Sequence, residues 1–149
     1  MTISANLLAD RVAALDVDGV TIWDLDHVPQ AIDPRACPQV YPVPEKFLKL
    51  DDSLQISFGP NGLWMHTYTA TFRCVQSPVG KERRLSKILP SQVNAYVAFI
   101  KAVTHNAQLL GAAHVKPANT PEWGVLEDSS KAQFNAADLA LTIVEYSAD

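Results

Sequence analysis

The chain has 149 residues, 48% of them apolar and 19% charged, with 12 basic and 16 acidic side chains and a formal net charge of −4. That length is about one domain's worth, read as a single domain over residues 1–149, and it buries close to 70% of its unfolded surface without disulfides or metals. The composition excludes disorder and low-complexity classes. The acidic balance argues against a general nucleic-acid coat.

No apolar run approaches the roughly 20 residues of a membrane-spanning helix, so no membrane partner is expected. The opening Met1-Thr2-Ile3-Ser4 has neither a basic nor an apolar signal region, which reads as a protein without a signal peptide. Two cysteines, Cys37 and Cys74, cannot build a disulfide framework. Both are read as reduced thiols in a cytoplasmic setting, with a single bridge between them as the alternative.

Residues 4–15 place Leu7, Leu8, Val12 and Leu15 at helical spacing, with Thr2 or Ser4 as the N-cap. A short β-rich run, Val20-Thr21-Ile22-Trp23, follows Gly19. Gln39-Val40-Tyr41 reads as a brief strand, and Pro38, Pro42 and Pro44 around it predict that it is short or lies at an edge. Residues 45–62 are interrupted by Asp51-Asp52-Ser53. They predict a strand or hairpin arm around residues 54–58 and a turn at Gly59-Pro60-Asn61-Gly62.

Residues 63–75 form the clearest strand. Trp64, His66, Tyr68, Ala70, Phe72 and Cys74 alternate with Met65, Thr67, Thr69, Thr71 and Arg73, a period of two in strong β-formers. The aromatic face is expected to meet the core, and the threonine face solvent or a neighbouring subunit. A long connector over 76–90 carries Lys81, Glu82, Arg83, Arg84 and Lys87, and Pro90 suits the first turn of a helix over 91–106. In that helix Val93, Val97, Ile100, Val103 and Ala107 form the predicted apolar stripe. Short strands are expected near 109–116 and 123–127. A last strand over 138–147, apolar on both faces, belongs in the middle of a sheet. Helices on one face of a mostly antiparallel sheet make this an α+β fold.

Motifs with chemistry are sparse. Asp16-Val17-Asp18-Gly19-Val20-Thr21 looks like the aspartate loop of haloacid-dehalogenase phosphatases, where one carboxylate attacks phosphorus and the next protonates the leaving group. Here the motif follows a helix rather than a buried strand, its threonine is one position late, and no downstream metal-holding acid motif appears. A polar turn accounts for it. The calcium-loop alternative fails because the twelfth position from Asp16 is His27, not an acid. His27, His66, His105 and His114 lack zinc-site spacing, and no nucleophile elbow or phosphate-cradling loop is present. The expectation is therefore a non-enzyme with no catalytic, cofactor-binding or metal-binding residues. The basic connector stands out in an acidic chain as an electrostatic contact site, and exposed loop aromatics such as Trp123 suit an interface.

The layout resembles the tail terminator, or tail completion, proteins of long-tailed bacteriophages. The elements that carry the resemblance are the helix Leu7-Leu8-Ala9-Asp10-Arg11-Val12, the Gly19-to-Trp23 strand, the proline-flanked Pro38-Gln39-Val40-Tyr41-Pro42, the strand Tyr68-Thr69-Ala70-Thr71-Phe72-Arg73-Cys74, the following helix, and the closing Asp138-to-Tyr146 strand. The resemblance implies a ring, usually a hexamer, that caps the tail tube, ends its polymerisation and offers a surface for head joining. Its implied partners are further copies of the chain, the tail tube protein and a head-completion or neck protein. DNA is implied only as passing cargo, and the implied location is the head-proximal end of the virion tail, after assembly in the host cytoplasm. The insertion over 45–62 and the early prolines depart from the usual pattern. Contact candidates from the strand reading are Thr67, Thr69 and Thr71, together with Lys81, Arg83, Arg84 and Lys87. The alternatives are a head-completion or adaptor protein of the neck and, from another class, a small phosphatase using Asp16 and Asp18.

Overall fold

The computed structural model describes residues 3–80, 85–108 and 110–147, with side-chain detail in the second helix beginning at Pro90. Helix α1 spans Ala5–Ala13, capped by Ser4, whose hydroxyl accepts the Leu7 amide at 3.2 Å. That bond satisfies one of the first-turn donors that no intrahelical carbonyl can reach. Helix α2 spans Leu85–His105. The strands are β1 (Thr21–Ile22), β2 (Gln39–Pro42), β3 (Leu48–Gln55), β4 (Trp64–Pro78), β5 (His114–Pro117), β6 (Gly124–Glu127) and β7 (Gln133–Ser147).

These strands form one sheet in the order β1-β2-β4-β7-β5, with β3 also paired to β4 and β6 to β7. β1 and β2 run parallel, and every other pairing is antiparallel. The backbone of the sheet is the β4–β7 pair, two strands of 15 residues each. Two helices and this mostly antiparallel sheet make the fold α+β.

Both helices pack on the same sheet face. Leu8 and Val12 of α1, with Ala95, Phe99 and Val103 of α2, bury against Tyr68, Ala70, Phe72 and Cys74 of β4 and Leu139, Leu141 and Ile143 of β7. Phe72 sits at the centre, its ring edge-on to Phe47 at 5.2 Å and to Phe99 at 5.4 Å, the geometry the ring quadrupoles favour. A smaller cluster of Ile32, Tyr41, Val75, Phe134 and Ala136 lies on the opposite face, covered by Trp23, Val28 and Cys37 from the loop between β1 and β2. The Asp128 carboxylate fastens this loop by accepting the Ile32 amide at 2.9 Å.

Some expectations hold and several are corrected. β2 is short, as one arm of the expectation has it, and it lies between β1 and β4. Its prolines stand at or beyond its ends, so Gln39, Val40 and Tyr41 keep the donors an interior strand needs. β3 is centred earlier than the predicted 54–58 segment, because a bulge at Asp51 absorbs the acidic interruption and lets pairing resume at Asp52↔Thr67. The turn at residues 59–62 is present, closed by Gly62 N–H donating to the Gly59 carbonyl at 3.1 Å, with Gly59 at φ +101°.

The connector is shorter than predicted, since β4 runs on to Pro78 and α2 already begins at Leu85. Pro90 lies inside the helix rather than at its first turn. As the sixth helical residue it lies just past the four first donors that have no intrahelical acceptor, so its ring forfeits one intrahelical hydrogen bond. The buried stripe of α2 is also rotated from the prediction. Gln92, Ala95, Phe99 and Val103 face inward while Val93 is exposed, because seating the large Phe99 ring on Phe72 sets the rotation. Trp123 is half-buried against the main core, so it is not an exposed loop aromatic.

Candidate assembly surface

With α1 and α2 on one face, much of the other face of β4 and β7 is left uncovered. Strand alternation puts Met65, Thr67, Thr69, Thr71 and Arg73 there, as the sequence pattern predicts, and all five are half-buried. Register then fixes rows that run across four strands. Asp52, Thr67, Val144 and His114 form one row, and Lys49, Thr69, Thr142 and Lys116 another. Thr69 donates its hydroxyl to the Asp51 carboxylate, and Asp51 also lies 3.7 Å from Lys49. Thr71 pairs with Ala140, and its main chain binds the 43–47 segment through Val43 and Phe47. The structure therefore brings the three threonines together on one face. Of the basic candidates, Lys81, Arg83 and Arg84 fall outside the described residues, and Lys87 lies in α2 with its side chain outside them.

Beyond the threonine rows, the β3–β4 hairpin extends as an apolar arm. Leu54, Ile56 and Leu63 are exposed, and Phe58 is fully so at 103%; Leu50, paired with Tyr68 on the helix-covered face, is exposed as well. Leu54, Met65 and Tyr146 form a further row on the uncovered face. An exposed cluster of this kind marks a contact surface more than scattered single residues would. The alternation of leucine, isoleucine and phenylalanine over 54–58 was the signal in the sequence, but burial is what a strand reading would have assigned to it.

At the opposite end of β4 lies an ion-pair group that the sequence reading missed. Arg73 donates to both carboxylate oxygens of Asp138, at 2.7 and 3.3 Å, and Lys46 Nζ lies 3.2 Å from the same carboxylate. Burial alone would raise the Asp138 carboxyl, but the hydrogen bonds from Arg73 and Lys46 outweigh it and hold the group below the usual carboxylate range. Asn119 clips onto the same stretch of β7, donating to the Asp138 carbonyl and accepting the Ala140 amide. A cleft of about 380 Å³ opens here, lined by Arg73, Asn119, Glu122, Val125 and Asp138 among others. The only advance signal was an arginine on the outward face of a strand, and the sequence alone does not reveal the partner 65 positions away.

On the core face, Ser53, His66 and Glu145 share a row, with the Ser53 hydroxyl 2.8 Å from His66 Nδ1. Glu145 is buried, and burial pushes its carboxyl up. Its Oε1 has no hydrogen-bond partner among the described residues. Asp16 and Asp18 are exposed on the turn after α1, either side of the buried Val17. Asp18 edges a shallow cleft with Gln76, Ser91 and Asn94, and Asp16 does not line it. Cys74 is buried in the core, which pushes its thiol up to about 12. Among the described residues no three His, Cys, Asp or Glu side chains are grouped to hold a metal ion. No described helix is long and apolar enough to cross a membrane.

No protein-family model matches the chain, and no curated protein matches its sequence.

Proposed function

We propose that the chain is a structural assembly protein of the phage tail-terminator class, a ring-forming cap on the tail tube that also presents a surface for head joining. The observation that carries this reading is the pairing of a sheet face left uncovered by the helices with an exposed apolar arm at its end. Apolar side chains such as Phe58, Leu54 and Ile56 gain free energy when a partner removes them from water, by roughly 25 cal/mol per Å² before association costs are met. The Thr67, Thr69 and Thr71 face adds hydrogen-bonding groups in fixed register.

The element order agrees with the layout that suggested the family: a capped N-terminal helix, a proline-flanked strand, a long aromatic strand, a helix and a central closing strand. The mechanism is one of shape. One face of the ring matches the next tube layer and ends the stack, and the other meets the neck. The acidic net charge of −4 suits a channel that must release DNA, since little phosphate neutralisation is offered.

The test is light scattering with negative-stain microscopy of the purified chain, followed by examination of particles from a phage lacking it. Annular particles with a central opening, and headless tails of unregulated length in the deletion, are expected. Tails of normal length that join heads without the chain would refute the role.

A further inference from the structure

The two open edges of the sheet are complementary to each other. β3 bounds one side of the β4–β7 pair, β5 bounds the other, and among the described residues neither has a second strand partner. They also stand at the same height. β3 pairs with Thr67, Tyr68, Thr69 and Ala70, and those residues pair through β7 with His114, Val115, Lys116 and Pro117 of β5.

Direction follows from the pairings. β3 runs antiparallel to β4. β5 is antiparallel to β7, itself antiparallel to β4, so β5 runs parallel to β4. A second copy set beside the first in the same orientation therefore brings its β3 against β5 of the first as an antiparallel pair, with the uncovered faces on one side. Charge matches as well. The uncovered face of the β3 edge carries Asp52 and the bulged Asp51, with Lys49 already close to Asp51. The β5 edge carries His114 and Lys116, both exposed, with no acid among its four residues. At equal height Asp52 falls in the row of His114, and Lys49, held by Asp51, falls in the row of Lys116. The β3 edge is therefore acidic on balance and the β5 edge basic, so unlike edges bring opposite net charges together whereas like edges repel.

We infer that the β3 edge of one copy docks antiparallel on the β5 edge of the next, with Asp52 facing His114, Asp51 beside Lys49 facing Lys116, and the Leu54 and Phe58 arm supplying apolar contact. Such a contact is heterologous, so it propagates from copy to copy and closes where the rotation allows. The inference rests on the assembly reading above and names the surface that would close the ring.

The test uses two variants of the full chain, D51K/D52K and H114E/K116E, with folding checked by circular dichroism and mass by light scattering across a concentration series. Each variant alone is expected to lose self-association by roughly 100-fold or more, because like charges then meet at every junction. Mixing the two in equal amounts is expected to restore particles larger than dimers, since every junction in an alternating assembly again joins opposite charges. The single substitution D52K, which leaves the Asp51–Thr69 bond in place, should weaken association in the same direction and guards against a folding defect in the double variant. A wild-type chain that stays monomeric even at millimolar concentration, a reversed variant that assembles as well as wild type, or a mixture that fails to recover overturns the proposal. If rings form regardless of these charges, this interface fails and the capping role stands. If charge-dependent assemblies form but tails are normal without the chain, the capping role fails and the interface stands.

Discussion

Arg73 and Asp138 are directly paired across the β4–β7 ladder, and the guanidinium grips the carboxylate through Nε at 2.7 Å and Nη2 at 3.3 Å. Fork-to-carboxylate geometry of this kind is the strong form of an ion pair, and it stands where the covering loop gives way to the uncovered face.

Because hydrogen bonding to Arg73 and Lys46 outweighs burial and depresses the Asp138 carboxyl from its usual 3.8, the pair contributes stability above that pH and loses it as pH falls through the lower folded-state value. Asp138→Asn should therefore flatten the acid limb of the stability profile below about pH 4. At neutral pH both Asp138→Asn and Arg73→Met should cost about 1–2 kcal/mol, discounted because the carboxylate is about a third exposed. Denaturant melts from pH 2 to 7 check both, and an unchanged acid limb in Asp138→Asn would remove the pair from the account.

Phe99 joins α2 to the sheet through Phe72, and it is completely buried. Phe99→Ala should destabilise by about 3–5 kcal/mol, the transfer loss plus the cavity left between two rigid elements. Val93, one of the positions assigned to the stripe from periodicity, is exposed, and Val93→Ala should fall within about 0.5 kcal/mol of wild type. Chemical denaturation of the two variants side by side checks which stripe is buried.

That contrast shows where sequence reasoning reached and where it stopped. β4 was legible because thirteen alternating residues of strong β-formers allow one register of faces, and Tyr68, Ala70, Phe72 and Cys74 are buried as the pattern demands. The central place of β7 was legible from apolar residues on both faces. The rotation of α2 was not, because Val93, Val97 and Ile100 satisfy the same 3.6-residue period as Ala95 and Phe99, and only the packing on Phe72 decides between them. The start of α2 was misplaced because proline usually opens a helix, and Pro90 does not. For the surface, Thr67, Thr69 and Thr71 follow from alternation alone. The Arg73–Asp138–Lys46 group and the matched heights of β3 and β5 depend on pairings between distant segments, which local pattern does not encode.

Phe58 offers a direct separation of stability from assembly. Its side chain is fully exposed at the end of the hairpin, so Phe58→Ser should leave the melting profile unchanged within about 0.5 kcal/mol. If the arm is a contact surface, the same substitution together with Leu54→Ser should weaken self-association by roughly 10-fold, since buried apolar anchors dominate such contacts. Thermal melts and sedimentation on one preparation measure both quantities. A loss of stability without a loss of association would mean that the arm packs within its own chain.

Glu145 carries the opposite sign to Asp138. It shares a pocket with Ile3, Leu8, Arg11 and Leu110, and burial raises its pKa above the usual 4.5 despite the opposing pull of nearby positive charge, His66 included, and a backbone hydrogen bond from Ile3. A carboxyl raised in this way costs the folded state stability once pH exceeds the unfolded-state value, because the chain must ionise a group that its surroundings hold neutral. The cost arises as pH climbs through the usual carboxylate range and is complete above the raised folded-state value. Glu145→Gln keeps the shape and a polar amide but removes that ionisation. It should leave stability near pH 3 almost unchanged and increase it at pH 7 by about 1 kcal/mol. A destabilised Glu145→Gln at pH 7 would mean that the ionised carboxylate is held by a cation, and the pH at which the two melting curves diverge would report the raised value directly.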